Sequence, residues 1–235
     1  MEQQAFRFKQ FSVRHDKCAM RVNTDGVLLG AWQNVEGAKG ILDIGTGTGV
    51  LALMMAQRND HAIIDAIDID KGACEQAQEN FSNSPWSGRL TSIHSSLQNY
   101  KPDKRYDLII SNPPYFIADL QSLNHKKNIA RHGVELSYEA LIVNVDRLLS
   151  DEGRVLVVIP AFNLAAFEAL ANAQNLFVNK MTEVNATGEK APYIVLLELA
   201  RTEKELVKDA IQIQGSGGEF TEEYKMLTKD FYLKF

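Results

Sequence analysis

Apolar runs and amphipathic stretches alternate along most of this 235-residue chain. Short apolar runs bounded by glycine, proline or polar residues predict buried strands, whereas apolar residues spaced three to four positions apart predict helices. The predicted strands are Gly40–Ile44, Ala62–Ile69, Leu90–His94, Tyr106–Ser111, Arg154–Ile159, Leu176–Glu183 and Pro192–Leu199. The predicted helices are Asp25–Trp32, Val50–Arg58, Lys71–Asn80, Ser137–Leu149 and Ala161–Ala173.

The order of these elements predicts an α/β fold. Strands that alternate with helices form crossover units, so we expect a doubly wound, mostly parallel sheet of seven strands with helices on both faces. No helix separates the last two strands, which predicts an antiparallel C-terminal pair at one edge. We expect a single domain over 1–235, made of an N-terminal extension (1–35), a catalytic core (36–200), and a C-terminal strand with a basic and aromatic tail (201–235).

Composition narrows the class of protein only moderately. Hydrophobic residues make up 45% of the chain and the formal net charge is −5, which is ordinary for a soluble globular domain. Cys18 and Cys74 are far apart, and the five histidines show no metal-ligand spacing, so we expect no disulfide and no metal site. No apolar run is long enough for a membrane span and no signal peptide is visible. We therefore expect a cytoplasmic protein, with no membrane partner and no obligate protein partner indicated.

A glycine-rich loop follows the first predicted strand. The stretch from Asp43 to Gly49 places Gly45, Gly47 and Gly49 at every second position, with Thr46 between the first two. Dinucleotide-binding loops space their glycines G-x-G-x-x-G to seat a pyrophosphate. The spacing here is G-x-G-x-G after an acidic residue, which favours a ligand with a cationic amino-acid end.

Two later strand ends extend this candidate site. Asp68 ends the second predicted strand, where a carboxylate can accept hydrogen bonds from ribose hydroxyls. Asp70 is interpreted instead as a helix cap before Lys71. Ser96 and Leu97, after the third strand, lie where an adenine ring would bind, although an ordinary loop explains them equally well. Together these features fit S-adenosylmethionine.

The tetrapeptide Asn112-Pro113-Pro114-Tyr115 follows the fourth predicted strand. An exocyclic amine or an amide donates its lone pair into a π system and is a poor nucleophile. The Asn112 side-chain oxygen and the Pro113 carbonyl could accept its two hydrogens and free the lone pair for in-line attack on a methyl sulfonium, while the prolines stiffen the loop. Tyr115, supported by Phe116, offers a ring on which a flat group can stack. This pattern predicts methyl transfer to a planar nitrogen.

Three basic clusters could contact a polyanion, although surface charge alone also explains them. The first lies near the N-terminus, the second follows the tetrapeptide, and the third lies in the last eleven residues. The candidate RNA contacts are Lys9, Arg14, Lys17 and Arg21, then Lys126, Lys127, Arg131 and His132, with Lys225, Lys229 and Lys234 in the tail. The polar stretch 117–135 is expected to be mobile in the free protein and to order over the RNA.

These motifs resemble the signature of class I S-adenosylmethionine-dependent amino methyltransferases. The stretches Val22–Trp32, Ile129–His132 and Tyr224–Phe235 narrow the resemblance to the bacterial tRNA1(Val) adenine-N6 methyltransferases, over essentially the whole chain. The resemblance implies a Rossmann-like fold, S-adenosylmethionine as the methyl donor and tRNA as the partner. It also implies that the enzyme methylates the adenine next to the anticodon, at tRNA position 37.

The resemblance also assigns residues. It implies that Asp43, Gly45, Gly47 and Asp68 contact the cofactor, and that Thr24 and Asp25 belong to a segment that closes over the methionine end of the donor. Asn112, Pro113 and Tyr115 would hold the target base. The full predicted cofactor set is Thr24, Asp25, Asp43, Gly45, Thr46, Gly47, Gly49, Asp68, Ser96, Leu97 and Asn112.

Three alternatives stay open at this point. The same tetrapeptide suits N5-methylation of a glutamine in a protein such as a release factor, or N6-methylation of an adenine in another RNA. The basic ends favour RNA, as does the short stretch before the glycine loop, which leaves no room for a separate protein-binding domain. A non-catalytic module that merely binds the nucleotide would make Asn112 and Tyr115 incidental.

Overall fold

The computed structural model describes residues 5–114, 136–188 and 191–234, which fold around one eight-stranded sheet. Two short strands, β1 (Phe6–Arg7) and β2 (Ser12–Val13), pair separately as a hairpin. The sheet contains β3 (Gly40–Ile44), β4 (Ile63–Asp68), β5 (Leu90–His94), β6 (Tyr106–Ser111), β7 (Leu149–Pro160), β8 (Phe177–Thr187), β9 (Ile194–Ala200) and β10 (Val207–Gln214). The helices are α1 (Thr24–Trp32), α2 (Val50–Arg58), α3 (Lys71–Ser82), α4 (Tyr138–Leu148), α5 (Leu164–Ala173) and α6 (Glu222–Thr228).

The strand order is β10-β8-β9-β7-β6-β3-β4-β5. Strands β3 to β7 are parallel to one another, whereas β9 runs antiparallel to both β7 and β8. The chain runs outward from β3 to β5 and then returns to the other side of β3 with β6. This reversal creates a topological switch point between β3 and β6, which is where open α/β sheets bind ligands.

The doubly wound, mostly parallel sheet and the antiparallel β8–β9 pair are confirmed, but two details were wrong. The sheet has eight strands, not seven, and the antiparallel pair does not form the edge because β10 lies outside β8 and parallel to it. The reason is the sequence of β10 itself: its first four residues are exposed and only Ile213 is buried. An edge strand of this kind lacks the apolar run that predicts a buried strand.

Side chains alternate between two apolar layers along the central strands, as the period of a strand requires. In β7, Leu156 and Val158 pack in the layer that includes α1, α2 and α3. Val155, Val157 and Ile159 pack in the opposite layer with α4 and α5. Both faces of the sheet are therefore covered, which explains the almost continuous apolar sequence of its central strands. No helix in the described part of the chain is long and apolar enough to cross a membrane.

The N-terminal hairpin and the C-terminal tail pack on each other. The ring of Phe8 stacks on Phe11 at 4.6 Å and on Tyr232 at 6.0 Å between centroids. The backbone N–H of Lys9 also donates to the Phe231 carbonyl at 2.8 Å. The predicted N-terminal extension and basic tail therefore form one joint structure, a contact between distant segments that neither sequence indicates.

Candidate active site

The switch point brings the glycine loop and the Asn-Pro-Pro segment together. The last residues of β3 and β6, Ile44 and Ser111, are direct partners across the two strands. The Ser111 hydroxyl also donates to the Ile44 carbonyl at 2.9 Å. Each strand then continues into its motif, at Gly45 and Asn112 respectively. Two motifs about sixty residues apart in sequence thus begin side by side at one end of the sheet.

A cavity of about 280 Å³ opens at this point. Its walls come from the ends of β3, β4, β5 and β6 and from an N-terminal stretch. Seven of the sequence-predicted site residues line it: Gly45, Gly47, Asp68, Ser96, Leu97, Asn112 and Pro114. A donor site of mixed character results, with backbone and carboxylate groups on one side and aliphatic groups on the other.

Gly45 and Gly47 leave the loop backbone open to the cavity. Both adopt left-handed conformations, with φ of 70° and 54°, which only glycine adopts without strain. A Cβ atom built on either residue would meet no atom within 4 Å. The Gly47 N–H donates to the Asp68 carboxylate at 2.9 Å, which fixes the loop against the end of β4. A ligand can therefore lie directly against this backbone, so the loop fits an adenosylmethionine-type group.

Gly49 has a different role from the other two glycines. Its φ is 82°, and a Cβ here would lie only 2.5 Å from the Phe81 ring and 3.2 Å from the Ala77 methyl. The close approach seats the start of α2 against α3. In this structure Gly49 shapes the loop without lining the cavity, and its contact with a cofactor stays a prediction.

Asp43 lies beneath the loop, fully buried. Its Oδ2 accepts hydrogen bonds from the Thr46 hydroxyl at 2.6 Å and from the Ala52 N–H at 3.3 Å, which ties β3 to the loop and to α2. Burial raises the pKa of the Asp43 carboxyl to about 7, partly offset by the bond from Thr46. Neither residue lines the main cavity, although Thr46 lines the smaller cleft described below. The predicted contact of Asp43 with a ligand stays a prediction.

Asp68 and Asp70 both line the cavity, but their hydrogen bonds differ. Asp68 lines the cavity, and its second oxygen accepts from the Asp70 N–H at 2.9 Å. The Asp70 side chain accepts from the Ala73 N–H at 3.0 Å, so the predicted cap of α3 is confirmed. Because Asp70 caps α3, the contact of Asp68 with a ribose stays the prediction for this pair.

The loop after β5 forms one wall of the cavity, through Ser95, Ser96, Leu97 and Gln98. Leu97 and Ser96 line it together with Ile69, which sequence reasoning did not include. The Arg147 guanidinium on α4 donates to the Leu97 carbonyl at 3.3 Å and to the Tyr100 carbonyl at 2.9 Å, which fixes the loop in place. The aliphatic side chains of Leu97 and Ile69 in this wall suit contact with an adenine ring.

A smaller cleft of about 40 Å³ lies between the glycine loop and the N-terminus of α1. Asn23 caps α1 by accepting from the Gly26 N–H at 2.9 Å, and a Cβ on Gly26 would lie 3.5 Å from the Asn112 Nδ2. Thr24 and Asp25 do not line the cleft; the Asp25 carboxylate instead accepts from a tyrosine hydroxyl on another segment. Asn23 and Gly26 were missed, although an Asn before a helical stretch is an N-cap signal.

The N-terminal stretch Cys18–Met20 forms a further cavity wall that was also missed. The chain reaches it by running along α3. The Arg14 N–H donates to the Asn80 side chain at 2.9 Å, and the Lys17 N–H donates to Gln76 at 3.0 Å. The sequence predicted only a basic cluster here, because the placement depends on these distant contacts.

On the acceptor side, Asn112 is partly buried, Pro113 is buried and Pro114 is exposed. Asn112 and Pro114 both line the main cavity, so this segment borders the donor site directly. The rest of the predicted acceptor side lies outside the described residues: the stretch 117–135 and the residues Tyr115, Phe116, Lys126, Lys127, Arg131 and His132.

The first basic cluster divides into two parts. Arg21 lines the cleft beside Asn112. Lys9 lies near Arg58 at the far end of α2, which at nine residues places it about 13 Å from the loop. Arg14 pairs with Asp16 at 3.5 Å, and Lys17 contacts Glu79 at 2.5 Å. Of these four residues, Arg21 is the one that the fold places at the candidate acceptor.

The chain matches the family model described as the methyltransferase small domain over residues 24–195. It is 44% identical over 232 residues to a protein of Parabacteroides distasonis named tRNA1(Val) (adenine(37)-N6)-methyltransferase, covering 97% of this chain and 98% of the relative. A protein of the same name from Dyadobacter fermentans is 44% identical over 235 residues, with 98% of each chain covered.

Solved structures share the fold at low sequence identity. A protein from Agrobacterium tumefaciens, described as a predicted O-methyltransferase, has a TM-score of 0.70 at 17% identity, covering 88% of this chain and 96% of that one. A ribosomal protein L11 methylase from Lactobacillus delbrueckii subsp. bulgaricus has a TM-score of 0.55 at 20% identity, covering 76% and 77%. With the family match and the near full-length relatives, these similarities show that the chain belongs to the methyltransferase small-domain family.

Proposed function

We propose that this protein transfers a methyl group from S-adenosylmethionine to the exocyclic N6 of an adenine in tRNA, specifically adenine 37 of tRNA1(Val). The main support is the placement of Asn112 at the switch point, where it lines the donor cavity beside Gly45 and Gly47. The substrate is proposed from relatives at 44% identity whose names specify that nucleotide. Cytoplasmic tRNA is the corresponding partner.

The residues of the cavity fit the cofactor. The open backbone at Gly45 and Gly47 would hold the methionine portion, the Asp68 carboxylate would accept from the ribose hydroxyls, and Leu97 with Ile69 would enclose the adenine ring. When bound, S-adenosylmethionine supplies an electrophilic methyl group. The protein's own contribution is to hold the acceptor amine next to that position.

The acceptor residues would act on the geometry and electrons of the target amine. The Asn112 side-chain oxygen and the Pro113 carbonyl would accept its two N–H hydrogens, which draws the lone pair out of conjugation with the ring. Tyr115 would stack on the base. Because the proton becomes acidic once the nitrogen carries a methyl group, no general base with a tuned pKa is needed. Positioning is thus the main catalytic contribution of this segment.

A labelling experiment tests the proposal. Purified protein is incubated with labelled methyl donor and a tRNA1(Val) transcript, and the nucleosides are separated after digestion. A matched transcript with guanine at position 37 serves as the control. We expect labelled N6-methyladenosine from the first transcript and none from the second.

Label in N6-methyladenosine of both transcripts would overturn the proposed position but keep the chemistry. No label in either transcript, with label in glutamine when a release factor replaces the RNA, would overturn the acceptor class. The near full-length relatives give no support to the glutamine alternative, and the likeness to the L11 methylase at 20% identity concerns the fold alone.

A further inference from the structure

Two aromatic side chains are exposed beside the candidate acceptor site. Phe162 lies in the single turn Ala161–Asn163 that follows β7, and it is 71% exposed. Tyr193 immediately precedes β9 and is 37% exposed. The Ala161 N–H donates to the Tyr193 carbonyl at 3.0 Å, so the two residues stand on hydrogen-bonded segments at the same end of the sheet.

This aromatic pair, Phe162 and Tyr193, lies just beyond the acceptor segment. Strands β6 and β7 are parallel neighbours, and Ser111 pairs with Val157. Since β7 continues for three more residues to Pro160, the turn that carries Phe162 begins about 10 Å beyond Ser111 along the strand direction. The Phe162 ring is therefore one strand away from the Asn-Pro-Pro segment and further out towards solvent.

Contacts hold the pair in place from two sides. The Tyr193 hydroxyl donates to the Asp25 carboxylate at 2.9 Å, and Asp25 lies in the first turn of α1 next to Gly26, which approaches Asn112. On the other side, the Asn163 amide donates to the Tyr138 hydroxyl at 3.2 Å. The turn is thus fixed relative to the acceptor segment by α1 and by α4.

A fixed, exposed ring at this position suits one kind of contact. When a target base leaves the stack of an RNA loop, the bases beside it lose a stacking partner. Aromatic side chains provide a replacement that tolerates any base, because every base has a π face. Resting on the proposed function, we propose that Phe162, with Tyr193 beside it, is a stacking subsite for a nucleobase adjacent to the target adenine.

Anticodon stem-loop RNAs test this subsite. One RNA is intact, and two others carry an abasic nucleotide at position 36 or 38. With wild-type protein, one of the two abasic RNAs should have a KM about tenfold higher than the intact RNA. A rise of about tenfold is typical for the loss of one base–aromatic stack. The Phe162→Ala variant should show the same rise on the intact RNA, kcat within about twofold, and no further loss on that abasic RNA.

Two controls complete the design. Phe162→Trp keeps a stacking face and should restore KM, and Ile63→Ala, which trims a 47% exposed residue at the opposite end of the sheet, should behave as wild type. The subsite alone would be overturned if the wild type methylates the intact RNA but Phe162→Ala has the same KM for it. It would also be overturned if the abasic RNA raises KM for Phe162→Ala as much as it does for the wild type. Failure of the wild type to methylate the intact loop would overturn the proposed function and this subsite with it.

Discussion

The donor and acceptor halves of the site share one switch point but are built differently. On the donor side, hydrogen bonds within the protein hold the loop: the Gly47 N–H donates to Asp68, and the Thr46 hydroxyl donates to the buried Asp43. On the acceptor side, Pro114 and Phe162 are exposed to solvent. The donor half is therefore a cavity held together by internal hydrogen bonds, whereas the described residues of the acceptor half present a surface.

This difference indicates how the two ligands are selected. A small cofactor makes few polar contacts, so its binding free energy is small. A preformed cavity suits it because little of that free energy is then lost in ordering the loop. A large RNA contributes its own shape and can cover an open surface. Changes in the donor half should therefore alter cofactor affinity or stability, and changes in the acceptor half should alter turnover or RNA affinity alone.

Asn112→Ala should give the largest difference between an effect on turnover and an effect on cofactor affinity. The variant removes one of two acceptors that hold the amine, and the loss of one preorganised polar contact of this kind typically lowers kcat about 10²–10³-fold. Cofactor affinity, measured by calorimetry with S-adenosylhomocysteine, should stay within about twofold of wild type. A variant that retained full turnover would make Asn112 incidental and favour a non-catalytic binding module.

Asp43 should produce the next largest effect, as a pH dependence of stability. Its carboxyl has a folded pKa of about 7, whereas the unfolded value is 3.8. Between these values the folded state binds the extra proton, so the free energy of unfolding falls as pH rises from about 4 to 7 and is level above that. The decrease should be on the order of 2–4 kcal/mol for this group.

Urea unfolding of the cofactor-free protein at several pH values measures this decrease. Asp43→Asn carries no titratable group and is the matched control, since its side-chain oxygen can still accept from Thr46. The wild type should therefore lose stability relative to the variant across the window. Parallel curves for the two proteins would contradict a raised pKa at Asp43.

Much of the fold follows from local patterns, and the exceptions have a common cause. The central strands are buried on both faces and are therefore apolar along their length, so they can be predicted from the sequence. Strand β10 was missed as part of the sheet because its pairing with β8 uses backbone groups while most of its side chains stay in solvent. The hairpin β1–β2 was missed because two-residue strands carry no periodicity.

The candidate site was predictable where the backbone itself restricts the residue type. Gly45 and Gly47 adopt positive φ, a conformation that favours glycine, so the sequence itself indicates these positions. Cys18 and Met20 carry no such signal, since they reach the cavity only through the contacts of their segment with α3. Likewise, no local sequence signal places the exposed Phe162 near the acceptor segment; its proposed role depends on the position of its turn one strand away from β6.

Two glycines test whether the donor loop depends on packing as well as on backbone conformation. Gly49→Ala and Gly37→Ala both force alanine into positive φ, at 82° and 81°, which costs about 1–2 kcal/mol. Only at Gly49 would the methyl also meet Phe81, adding about 1–3 kcal/mol of overpacking. Urea unfolding should therefore show the greater loss for Gly49→Ala, and equal losses would mean that the α2–α3 contact accommodates a methyl group.

The smallest effect, and the most specific to the donor half, should come from Asp68→Asn. The substitution keeps the shape of the side chain but removes its charge and one of the two acceptors that face Gly47 and Asp70. A hydrogen bond to a charged group contributes about 1.5–3 kcal/mol, so Kd for S-adenosylhomocysteine should rise at least about tenfold. The KM for tRNA at saturating cofactor should not change, because Asp68 lies on the far side of the glycine loop from the acceptor surface. An equal rise in Kd for S-adenosylhomocysteine and in KM for tRNA would mean that the two halves are coupled through the loop. The donor and acceptor halves would then not act independently.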